Sequence, residues 1–64
     1  MDNHYEQEIW ARVVEIERTH GENAAAHIAE RIAAFEAIAD ADAVTFWRDL
    51  EDRLAKLRKI GGQG

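Results

Sequence analysis

Apolar positions recur along the chain at intervals of three and four, and no run alternates with a period of two. That spacing predicts helices throughout, since only a 3.6-residue turn brings such positions onto one face. In the first segment, about residues 3–20, Tyr5, Ile9, Val13, Ile16 and His20 fall on one stripe. Trp10 and Val14 lie roughly 100° around the helix from Ile9, so the apolar arc is wide enough to touch two neighbours. Asp2 or Asn3 supplies an N-cap acceptor, and Gly21 ends the helix because it takes the left-handed conformation without a Cβ clash.

A second helix is predicted over about 24–39, with Asn23 as its cap and Ala25, Ile28, Ile32, Phe35 and Ala39 on its inner stripe. Ten of the twelve alanines lie between positions 24 and 43, which favours helix and permits close approach. A third is predicted over about 41–60. Asp40 caps it, with Asp42 as the alternative, and Trp47, Leu50, Leu54 and Leu57 form a seam with Phe46 beside it. Asp49–Arg53 and Asp52–Lys56 have the favourable i,i+4 order on that helix. Turns this short make consecutive helices antiparallel or sharply angled neighbours. The expected fold is therefore an all-α, small three-helix bundle: a single domain over residues 1–60, with the Gly-rich tail 61–64 flexible.

Sixty-four residues set the limits of what such a bundle can do. A chain of this size buries only about 60% of the surface its unfolded form exposes, so helix packing or oligomerisation must hold it together. The chain has no Cys and no Pro, so neither a disulfide staple nor thiolate chemistry is available. It has no long uncharged stretch, and its acidic, polar start does not resemble a secretory leader, so a cytoplasmic protein without membrane contact is expected.

Charge adds one asymmetry. The net charge is −5, yet residues 53–60 carry Arg53, Lys56, Arg58 and Lys59 and no acid. A basic end of this kind can meet nucleic acid or an acidic partner, or it can simply offset the dipole at a helix C-terminus. The four side chains spread over more than half the helical circumference, which favours the second reading. Helix, Gly-containing turn, helix is also the outline of a DNA-reading motif. However, the would-be recognition helix presents alanines where Arg, Lys, Asn or Gln read base edges, and the overall charge opposes phosphate contact.

Catalytic constellations are missing. There is no Ser, neither Thr19 nor Thr45 sits in a triad context, and there is no Gly-rich phosphate loop, so no enzyme is expected and no cofactor is called for. Glu17 and His20 form one Glu-x-x-His unit, half of a di-metal helical site that a two-fold dimer could complete. The same His20, in the last turn of its helix, can instead serve free carbonyls there. His27 is expected to be a neutral partner of a nearby backbone or carboxylate group.

What remains is surface for association. Trp10 and Val14 form an apolar flank of helix one, and Ala26, Ala29, Ala33 and Ala37 a small-residue stripe on the outer side of helix two. Contiguous apolar surface marks interaction sites. The reading is a non-catalytic protein–protein interaction or self-association module, with another protein or a second copy (a homodimer) as partner. The alternatives are a small nucleic-acid-associated regulator using Arg53, Lys56, Arg58 and Lys59, and a metal-binding bundle through Glu17 and His20.

The frame Ile9-Trp10-Ala11, Ile16-Glu17-Arg18, His20-Gly21, Ile28-Ala29-Glu30-Arg31-Ile32, Asp40, Trp47-Arg48 and Leu54 resembles a family of very small bacterial three-helix proteins of unknown function. The likeness spans about positions 9–57 and implies a free-standing cytoplasmic helical protein, with no activity or site residue to carry over. One departure is Ala39, where the family frame leads one to expect a glycine before the aspartate. That places the start of helix three within a few residues only.

Overall fold

The computed structural model describes residues 4–61, and every element in them is helical. Helix α1 runs His4–His20, α2 Ala24–Ala37 and α3 Ala41–Gly61. A single 3-10 turn, Gly21–Asn23, joins α1 to α2 with no non-helical residue between them. The chain is thus two helical stretches, 4–37 and 41–61, the first broken once. The expected caps Asp2 and Asn3 and residues 62–64 of the expected tail lie outside the described residues, whereas Gly61, expected to begin that tail, is the last residue of α3.

Two positive-φ residues make the breaks. Gly21 sits at φ 56°, as its lack of a Cβ predicts. Asn23 holds the N-cap position of α2, but its side chain makes no capping bond, contrary to expectation. The 3-10 turn supplies local partners instead, with Ala24 N–H donating to Gly21 O. At the other end α2 stops at Ala37, two residues earlier than the periodicity predicts. Ala39 adopts φ 58° there. Ala39 N–H donates to Glu36 O at 3.1 Å and Asp40 N–H to Phe35 O at 3.0 Å, the paired bonds of a Schellman stop. Asp40 then begins α3: its Oδ1 accepts from Ala43 N–H at 3.1 Å, the N-cap bond expected of it.

The core comprises Ile9, Val13 and Ile16 of α1, Ala24, Ile28 and Ile32 of α2, and Leu50 and Leu54 of α3. Val44, Phe46, Trp47 and Leu57 pack against it. Ala24, not the expected Ala25, is the buried alanine at the start of α2, because it stands four residues before Ile28 and shares its face of the helix. Helix α3 is the common element, packed most extensively on α2 and then on α1. The result is a slab 38 × 33 × 17 Å. Its radius of gyration, 12.2 Å, exceeds the ~10.7 Å of a compact chain of this length. A thin slab covers its core on few sides, so the surface chemistry matters more than in a sphere.

Candidate functional site

The basic end of α3 is engaged with the rest of the bundle. Arg53, only 18% exposed, grips Glu6 of α1 through two bonds, Nε to Oε2 at 2.9 Å and Nη2 to Oε1 at 2.7 Å. A bidentate fork of this kind fixes both side chains. The Arg53 guanidinium accordingly holds the Glu6 carboxyl below its usual range, and Glu6 in turn strengthens the proton affinity of Arg53. Arg53 also reaches Asp52 at 3.0 Å, and Lys56 meets Asp52 at 3.2 Å, the i,i+4 pair expected from the sequence. The bond from Lys56 and the charge of Arg53 lower the Asp52 pKa. Arg53 takes Glu6 and Asp52 in place of the expected Asp49, whose carboxylate accepts from the Tyr5 hydroxyl. Lys59 is exposed.

Arg58 closes the junction between α1 and α2. Its Nη2 donates to Gly21 O at 2.8 Å and to Glu17 Oε1 at 3.2 Å. The guanidinium therefore does what was expected of His20: it serves a carbonyl freed where α1 ends. Glu17 is committed to that pair, so the Glu-x-x-His unit does not present a free carboxylate beside an imidazole. Among the described residues no group of three or more His, Cys, Asp or Glu side chains is placed to hold a metal ion.

His20 stacks on His27, with ring centroids 4.0 Å apart and planes 16° from parallel. His27 meets the ring of Trp47 edge-on at 5.8 Å, and Trp47 stacks on Phe35 at 6.5 Å and meets Phe46 edge-on at 6.1 Å. The His27 partner is thus an aromatic row rather than the expected backbone or carboxylate group. Desolvation pushes the His27 pKa down, and the neighbouring His20 and Arg31 push the same way.

The predicted association residues lie on two elements. Val14 is 44% exposed, and Ala29 and Ala33 are exposed, whereas Trp10 is half-buried. Val44 packs against the core. Two further exposed apolar groups appear, Tyr5 and Ile38, the latter 68% exposed where α2 stops. An open groove of about 390 Å³ opens at that corner between Glu36, Ala39, Asp40, Ala41, Val44 and Thr45. A second, of about 290 Å³, lies along α1 beside Phe46, over whose ring the Arg12 guanidinium sits at 5.9 Å. No helix in the described residues is long and apolar enough to cross a membrane.

Cross-helix partners such as Glu6 and Arg53, 47 residues apart, carry no local signature in the sequence. The two histidines did: they flank the turn seven residues apart, close enough to meet if the helices fold back on each other.

Residues 5–60 match the model of the family of unknown function DUF6961, and the chain belongs to that family. No curated protein and no solved structure matches it.

Proposed function

We propose that this member of DUF6961 is a three-helix bundle acting in the cytoplasm as a non-catalytic module that associates with another protein or with a second copy of itself. The observation that carries the reading is the contrast between its charges and its apolar surface. Three of the four cations at the end of α3 bond to groups of the same molecule, while Val14, Ala29 and Ala33 are left exposed on a slab 17 Å thick. Paired charges weaken the case for a phosphate-binding surface, which needs cations free to replace counterions. Exposed apolar surface on so small a chain gains stability from being covered.

Sedimentation equilibrium over a hundredfold concentration range tests the reading. A mass rising from 7.3 kDa toward twice that value is expected, with Val14→Lys and Ala33→Lys holding the chain monomeric while its helical circular-dichroism signal is retained. A strict monomer that also captures no protein partner would overturn it.

A further inference from the structure

Among the described residues, the His20–His27 stack is a cluster of titratable groups that neither the ion pairs nor the proposed association surface uses. It lies across the 3-10 turn, with His20 closing α1 and His27 in the first turns of α2. The same junction buries Ile16, Ala24 and Ile28. We propose that this stack is an acid-sensitive latch on the α1–α2 junction, closed while both rings are neutral and opened when both carry a proton.

Parallel rings 4.0 Å apart suit neutral imidazoles. Two positive charges at that separation disfavour the doubly protonated stack about fivefold in a water-like medium, and more where the rings are half-buried. The surroundings do not relieve this. From α2, Glu30 favours a proton on His27 and Arg31 opposes it. From α3 comes Arg58, a further cation, bonded to Glu17 of α1 and to Gly21 O next to His20. Trp47, also from α3, is uncharged and seals the edge of His27. Glu22 in the turn is exposed. Depressed proton affinity in the folded state means that the unfolded chain binds more protons below pH 6.5, so stability is full above that pH and falls as pH drops through the folded value. The carboxylates titrate lower and the α-amino group at the upper edge, so a change centred between about pH 7 and 5 reports on the histidines.

The test is an NMR titration of the three histidines in the full chain, with urea unfolding at pH 8 and pH 5. His20 and His27 should titrate as a coupled pair, the second proton entering at least one pH unit below the first. The unfolding equilibrium constant should rise about tenfold over the same interval, the equivalent of one such unit. His27→Phe, which keeps a ring without the charge, should abolish that rise. Two independent transitions near the ordinary histidine value in the wild-type chain would overturn the latch, whether or not the variant folds. So would unfolding that is equally easy at both pH values.

Discussion

Ala39 occupies a backbone position that suits glycine. Its φ of 58° matches the 56° of Gly21, where α1 gives way to the 3-10 turn, yet it carries a Cβ. Left-handed backbone costs an L-residue about 1–2 kcal/mol. Glycine avoids that strain but loses roughly 0.5–1 kcal/mol more chain entropy on folding than alanine does. Ala39 is exposed, so removing its methyl group leaves no cavity in the core. Both Schellman bonds are made by backbone groups and survive the change. The net effect of Ala39→Gly is therefore a stabilisation of ~0.5–1 kcal/mol, or about 2–8 °C in melting temperature for a domain of this size. Gly21→Ala is the mirror experiment. A Cβ there would have nothing within 4 Å, so its penalty is purely conformational and should equal the gain at Ala39 with opposite sign. Far-UV circular dichroism during heating and during urea titration measures both, and an unchanged urea m-value shows that the surface exposed on unfolding is the same. The double variant should return close to the wild-type value, since the two sites lie in the separate connections on either side of α2 and share no partner. A lower melting temperature for Ala39→Gly would refute the reasoning and mean that linker flexibility outweighs strain at the α2–α3 corner.

Asp40→Ala should destabilise by about 1 kcal/mol through loss of the bond to Ala43 N–H, and Asp40→Asn should restore most of it; chemical denaturation distinguishes the two. Ile28→Ala, at a fully buried position, should remove ~2–5 kcal/mol, a large part or all of the roughly 3–5 kcal/mol that a core of this size supplies at most, as a lowered urea midpoint or loss of helical signal at 25 °C would show. Glu6→Gln should flatten the acid limb of the stability–pH curve. The folded-state pKa of Glu6 lies below its unfolded value, so its contribution is present above the unfolded pKa and disappears as pH falls through the folded one. Equal acid sensitivity of wild type and variant between pH 5 and 2 would contradict the Glu6–Arg53 bond.

What the sequence made legible is what the local chain determines. Ile9, Val13, Ile16, Ile28, Ile32, Leu50 and Leu54 repeat at helical intervals, and the same seven are buried. Asp40 and Gly21 announce a cap and a stop by residue type alone, and each does what its chemistry dictates. The misplaced end of α2 has the opposite origin. Nothing in the identity of an alanine signals a left-handed residue, so the periodicity runs on to Ala39, whereas the helix stops at Ala37. The electrostatics were hidden for a further reason. A helix wheel assigns Arg53 and Arg58 to faces of α3 but says nothing about what α1 brings opposite them. Once Glu6, Glu17 and the Gly21 carbonyl arrive there, a row that looks basic in one dimension becomes a set of fastenings in three. In a slab this thin, a charge near the end of one helix is within side-chain reach of another element. The net charge of a segment therefore says little about the field it presents to a partner. The neutral and exposed positions, Val14, Ala29 and Ala33, have no such internal claim on them, and they are where contact with a partner is to be sought.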